Sequence, residues 1–308
     1  MRLRDALHGY WLDREVNLSP NTVADYRRTF GRLMEFLDED RAVEEITARD
    51  LNRFLNEMTR RYGWGNKTRL NAWIALSSLW TWAERTLGVD QVVRDGVSRP
   101  TVRRSEIRPY TQVEVRALLS ACDTTQGWDS INGRVVLSRR PTAVRDRAIM
   151  LVMLDTGIRV SELAGLLRRD YVRDRGLIHV RHGKGGKVRT LALGRSTQRA
   201  LWHYLATRSE VQPGSPLFAT KGGGPLDRHT ILKMVARAGE RSGVPRANCH
   251  RFRHTFAITF LRNGGSVLEL QEMLGHERMD TVRIYARLAQ IDLERAQRRA
   301  SVADRWGL

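Results

Sequence analysis

Cysteine is scarce in this chain, acidic residues are outnumbered by basic ones, and no hydrophobic run is long. Each shortage excludes something. The 308 residues hold two cysteines, Cys122 and Cys249, too few and too far apart for a disulfide framework. A reducing, cytoplasmic setting is expected. The longest apolar stretch, Ala148–Leu154, falls far short of the roughly 20 residues that cross a bilayer. Signal-peptide and lipidation patterns are also missing, so no membrane partner is expected. No internal repeat or long low-complexity tract is present. The glycines at 183–186 are not followed by the G-K-[ST] of a nucleotide-binding P-loop. Cys249 adjoins His250, but no further orienting group in the sequence supports a thiol nucleophile, and a buried structural role is the default.

What the chain has in excess is positive charge. Lys and Arg number 53 against 34 Asp and Glu, a formal net charge of +19. Arginine predominates and is spread through segments that look folded. Such a chain favours polyanions, because every neutralised phosphate releases condensed counterions.

The length allows two domains, each with its own core. Residues 1–93 read as a helical domain. Ser19-Pro20 is an N-cap followed by proline at the first helical position. Val23, Tyr26, Phe30, Leu33 and Leu37 then recur at three- and four-residue steps over 21–38. Thr47 caps a helix expected over 48–60. A third, over 68–87, carries Trp73, Leu76, Trp80, Ala83 and Leu87 on one face, where core packing is a better reading of the tryptophans than base stacking. Arg27, Arg28, Arg32, Lys67 and Arg69 fill the opposite faces and are read as phosphate contacts. Residues 94–108 are polar, basic and poor in apolar side chains, and read as an interdomain linker. The second domain is expected over 109–308. Thr111 and Glu114 form a capping box, as do Ser266 and Glu269. Residues 144–167 read as helical. Alternation over 177–181 and 188–193, around a glycine-rich turn, predicts a β-hairpin. A helical pattern runs from Ser196, with a Gly/Pro-rich break at 213–225. Residues 123–142 have no helical period, and Asn132-Gly133 predicts a small hairpin within them. The last segment, 286–308, has helical spacing at Leu288, Ile291 and Arg295. The expected fold class is therefore mainly α with a small antiparallel β-sheet (α+β).

Six residues stand out for chemistry: Arg159, Lys184, His250, Arg253, His276 and Tyr285. They comprise two guanidiniums, an ammonium, two imidazoles and a phenol. This collection suits stabilisation of a phosphate under attack and proton movement around it. His250 and His254 also have the i, i+4 spacing of a zinc pair, but Arg-Phe-Arg between them supplies no carboxylate and repels a cation. His254 is expected to pack within its helix.

The segments around the six are LDTGIRVSEL (154–163), HGKGGKVRTLAL (182–193), HRFRHTFA (250–257) and LGHERMDTVRIYARL (274–288). In their order and internal offsets they resemble the tyrosine recombinase (phage integrase) family. The separations of nine residues from His276 to Tyr285 and twenty-three from Arg253 to His276 look like the family's. The resemblance is strong over 109–290 and holds at the level of pattern over 2–93. It implies a SAM-like helical core-binding domain, a mixed catalytic domain, and the following roles. Tyr285 attacks the scissile phosphorus and forms a 3′-phosphotyrosyl link. Arg159 and Arg253 grip the non-bridging oxygens, with Glu162 as a candidate orienting group for Arg159. His250 serves as general base or phosphate ligand, and His276 donates a hydrogen bond to phosphate. Lys184, or Lys187 in its place, protonates the leaving 5′-oxygen. No cofactor or metal is called for. Against the family pattern, 123–142 looks like an insertion.

The implied function is site-specific recombination of double-stranded DNA at inverted-repeat sites through a Holliday junction, for integration, excision or resolution. Implied too are a homotetramer assembled through the C-terminal segment and room for accessory proteins. Because the chain begins almost directly with the core-binding pattern, an Xer-type recombinase or a short integrase is expected rather than one with an arm-binding domain. Two other readings stay open at this point: a type IB topoisomerase-like enzyme, and a DNA-binding protein without catalysis.

Overall fold

Ser19 starts the second helix as its sequence promises. Its hydroxyl accepts from the backbone N–H of Thr22 at 3.2 Å, and Pro20 occupies the first helical position. A computed structural model describes residues 1–38, 40–102, 106–123, 128–129, 135–136, 140–181, 188–208, 212–275, 279–288 and 301–307, with the backbone alone at 128–129, 135–136 and 279–281. The chain divides into two compact units, Met1–Ser105 and Glu106–Leu308. The architecture is mostly helical with a small antiparallel sheet. No helix among the described residues is long and apolar enough to cross a membrane.

The first unit contains α1 (Leu3–Arg14), α2 (Pro20–Leu37), α3 (Ala48–Tyr62), α4 (Asn66–Leu87) and the short α5 (Val92–Gly96). Thr47 and Asp50 close a reciprocal capping box at the start of α3. Gly63 ends that helix with φ of 64°, a left-handed conformation that glycine reaches without steric cost. The apolar stripes converge on a core that includes Leu7, Tyr10, Phe30, Leu33, Phe54 and Trp80. The tryptophans pack as expected: Trp80 is fully buried, and Trp73 lies against the core with its indole N–H donating to the carbonyl of Val97. The stretch read as a linker from residue 94 therefore opens with packed structure, because α5 runs on to Gly96 and Val97 is buried. Of the basic residues read as phosphate contacts, Arg27 pairs with Glu15 and lies over the Trp11 ring, while Arg32 lies over Tyr62.

In the second unit, α6 (Gln112–Ser120) follows the expected Thr111–Glu114 capping box. Backbone strands β1 (Trp128–Asp129) and β2 (Val135–Val136) pair antiparallel within the suspected insertion, flanking Asn132-Gly133. The turn between them lies outside the described residues. The region 144–167, read as one helical stretch, is interrupted. Helix α7 (Ala143–Thr156) stops at Gly157, φ 61°, and α8 (Val160–Ala164) begins after it. A Cβ on Gly157 would come within 2.5 Å of Phe256 and 2.9 Å of Leu274, so the close approach of these elements requires glycine.

Three strands form the second sheet: β3 (Tyr171–Val172), β4 (Leu177–Val180) and β5 (Arg189–Ala192), antiparallel and in that order. Strands β4 and β5 are the anticipated hairpin, registered from Leu177↔Ala192 to Val180↔Arg189. Ile178, Val180 and Leu191 face the core. The turn at 182–187, which carries Lys184 and Lys187, lies outside the described residues. Helices α9 (Arg195–Ala206), α10 (Arg228–Ser242), α11 (Cys249–Arg262), α12 (Val267–Leu274) and α13 (Met279–Leu288) complete the described fold, with a last short helix at Val302–Trp306. The expected C-terminal helical run passes through 289–300, also outside the described residues. Tyr110 pins the start of α11. Its hydroxyl accepts from Asn248 N–H at 2.8 Å and donates to the Asn248 carbonyl at 3.0 Å, and its ring packs on Phe252.

Candidate active site

Four of the six singled-out residues, Arg159, His250, Arg253 and Tyr285, can be followed in the structure. Lys184 and His276 lie outside the described residues. The four come from three places in the chain: the α7–α8 break, α11 and α13.

Arg159 is not inside a helix. It occupies the N-cap of α8 in an extended conformation. Its Nη1 donates to Glu162 Oε1 at 3.0 Å, its backbone N–H donates to Glu162 Oε2 at 3.0 Å, and Nη2 donates to the Gly275 carbonyl at 3.3 Å. The pairing with Glu162 expected from sequence is thus present. About a third of the Arg159 side chain stays exposed. Arg253 on α11 is buried, and two backbone carbonyls hold its guanidinium: Gly157 at 2.7 Å from Nη1 and Leu274 at 2.8 Å from Nη2. Burial, followed by the neighbouring charge of Arg159, lowers its pKa to about 10. It stays cationic at neutral pH. A third guanidinium, from Arg189 on β5, reaches Glu162 as well.

Glu162 is the one carboxylate at this point among the described residues. Burial by itself would raise its pKa. The hydrogen bonds and charge of Arg189, then those of Arg159, outweigh burial and leave it below the usual carboxylate range. Two guanidiniums on one ionised carboxylate, with that of Arg253 close by, form a positive cluster suited to a phosphate.

His250 and His254 project from successive turns of α11, with ring centroids 4.3 Å apart and planes at 73°. Burial, then repulsion from Arg253 and Arg159, lowers the pKa of His250 and keeps the imidazole neutral. His254 is pushed down to about 4 by burial first, then by His250 and Arg253. Its Nδ1 lies 3.0 Å from the Tyr285 hydroxyl. Tyr285 is only 3% exposed. Its burial raises the phenol pKa, and the opposing pull of Arg253 and Arg159 does not cancel that rise.

Two residues that the sequence did not single out for the site lie beside it. His254 was read as a packing residue, yet it contacts the phenol; its i, i+4 spacing from His250 was visible but pointed only to a metal or to packing. Arg189 was one arginine among many, and nothing local to β5 marks it.

The chain's sequence matches the phage integrase family model over residues 110–291 and the phage integrase N-terminal SAM-like domain over 8–86. The chain belongs to the phage integrase family. As a tyrosine recombinase it is of the class that cleaves and joins DNA strands. Among similar curated proteins, tyrosine recombinase XerA of Thermococcus onnurineus is 32% identical over 297 residues, spanning 96% of this chain and 94% of the relative. Tyrosine recombinase XerC of Pelobacter propionicus is 28% identical over 286 residues, 90% and 88% of the two chains. Solved structures share the fold. The Tn1549 transposon integrase in complex with transposon right end DNA superposes with a TM-score of 0.74 at 18% identity, covering 92% of this chain and 94% of the other. A lambda integrase dimer bound to a COC′ core site gives 0.71 at 18% identity, covering 91% and 96%. This tyrosine recombinase therefore carries its arginine cluster and buried phenol on the family's fold.

Proposed function

We propose that this chain is a site-specific recombinase that binds duplex DNA at inverted-repeat sites and exchanges strands in two steps through a Holliday junction. The observation that carries the proposal is the pair Arg159 and Arg253, each fastened to backbone carbonyls, at the site where Tyr285 is buried. Guanidiniums fixed in this way need little reorganisation when charge develops on a phosphate, which is the condition for electrostatic catalysis.

In the proposed reaction the Tyr285 oxygen attacks the scissile phosphorus. The P–O5′ bond breaks, and the phenolic proton passes to a base, for which His250 is the candidate. Arg159, Arg253 and His276 meet the non-bridging oxygens, and Lys184 protonates the departing 5′-oxygen. The 3′-phosphotyrosyl link conserves the energy of the broken diester, so attack by another 5′-hydroxyl reseals DNA without ATP. Assembly as a homotetramer through residues after Ala289, and action in the cytoplasm, belong to the same proposal.

Covalent trapping tests it. The purified protein is incubated in EDTA with sheared DNA from its source and denatured, and the protein-linked fragments are sequenced, beside a Tyr285→Phe sample. The expected result is adducts at one inverted-repeat site that vanish in the variant. Adducts at scattered sites would instead indicate a topoisomerase, and DNA binding without any adduct would indicate a non-catalytic binder.

A further inference from the structure

Glu162 accepts four hydrogen bonds. Its Oε1 receives Arg159 Nη1 and Arg189 Nη1, at 3.0 and 3.1 Å. Its Oε2 receives Arg189 Nη2 at 2.6 Å and the Arg159 backbone N–H at 3.0 Å. Arg189 thus supplies a two-pronged grip on the carboxylate that Arg159 leans on. Its third donor, Nε, gives a hydrogen bond to the Met273 carbonyl at 2.8 Å. That carbonyl lies two residues before Gly275, whose own carbonyl receives Arg159. A Cβ on Gly275 would sit 3.2 Å from Arg189 Nη1, so the missing side chain leaves room for the guanidinium. Arg189, whose backbone is paired in β5 opposite Val180, therefore grips Glu162 directly and the chain two residues before Gly275, beside both groups that hold Arg159.

We infer that Arg189 is a positioning residue, which sets the Arg159 guanidinium through Glu162 and the C-terminal end of α12. This rests on the reading of Arg159 as a phosphate ligand. The reason is geometric. Glu162 is almost fully buried, and with Arg159 alone its carboxylate could rotate towards that single cation and draw it out of line. The bidentate grip prevents the rotation, and only a guanidinium has the planar fork to supply it. Arg189 also follows Lys184 by five positions in the sequence.

Two measurements on the full-length protein test the inference. The first needs no DNA: the Nε–Hε NMR signal of Arg159, assigned by its loss in Arg159→Lys, is compared between wild type and Arg189→Gln. A shifted, broadened or fast-exchanging signal in the variant is expected; an unchanged one overturns the inference. The second measures single-turnover cleavage at the site recovered by trapping, on a normal phosphodiester and on a scissile methylphosphonate, which lacks the charge that Arg159 meets. Arg189→Gln is expected to slow the phosphodiester about 100-fold, to slow the methylphosphonate little, and to be partly rescued by Arg189→Lys. Equal slowing on both substrates, or loss of the thermal transition in Arg189→Gln with wild-type cleavage selectivity in Arg189→Lys, would mean a structural role only. If wild type forms no adduct on any DNA, the recombinase reading fails, while the NMR comparison still decides the positioning.

Discussion

Nδ1 of His254 and the hydroxyl of Tyr285 are 3.0 Å apart, so the tautomer of one sets the hydrogen-bonding role of the other. The consequence can be measured through pH. The ordinary imidazole value is 6.5, whereas His254 in the folded chain is held near 4. Between these values the unfolded chain binds more protons than the folded one. The contribution to stability is complete above pH 6.5 and is lost as pH falls towards 4. Thermal unfolding should therefore move to lower temperature over that window, and His254→Gln should flatten the dependence. An equal slope in the variant would show that other groups control acid stability. At this scale a motif that fixes both residue type and spacing singles out Arg159, His250, Arg253 and Tyr285, whose catalytic roles belong to the proposal. The sequence was silent where a role arises only from folding: Arg189 meets Glu162 across 27 positions and His254 meets Tyr285 across 31. No local pattern records such a meeting.

Elements whose ends are marked by side-chain chemistry were predictable, and those stopped by tertiary contact were not. Ser19, Thr47, Thr111 and Ser266 each cap the helix expected of them, because capping is decided within four residues. Thr47→Ala should cost about 1 kcal/mol in a denaturant melt. The break between α7 and α8 depends instead on Gly157 packing under Phe256 and Leu274, contacts some hundred positions away. Strand β3, two residues long, is too short to display alternation. Gly157→Ala should be severe: a left-handed alanine costs roughly 1–2 kcal/mol before any clash, and the Gly157 carbonyl that holds Arg253 would shift. Loss of covalent adduct together with a lowered melting temperature is expected; a variant of wild-type activity would remove Gly157 from the account of the site.

Two units with separate cores and a large positive charge define the behaviour of the whole molecule. Residues 1–105 and 106–308 each enclose their own buried cluster and should fold cooperatively when expressed apart, as two independent calorimetric transitions would show. Binding to arbitrary duplex should be dominated by counterion release. For about six to ten phosphate contacts, affinity should fall by about 10³–10⁵ between 50 and 200 mM salt; a flat salt response would mean that the net charge of +19 is not used on DNA. Such a protein spends most of its life resting on sequences it must leave intact, with phosphodiesters always within reach. If Tyr285 is the nucleophile proposed above, its 3% exposure would keep it from those phosphodiesters. Under the proposed reaction, background nicking should then depend on how often the phenol becomes exposed, not on how often the protein touches DNA.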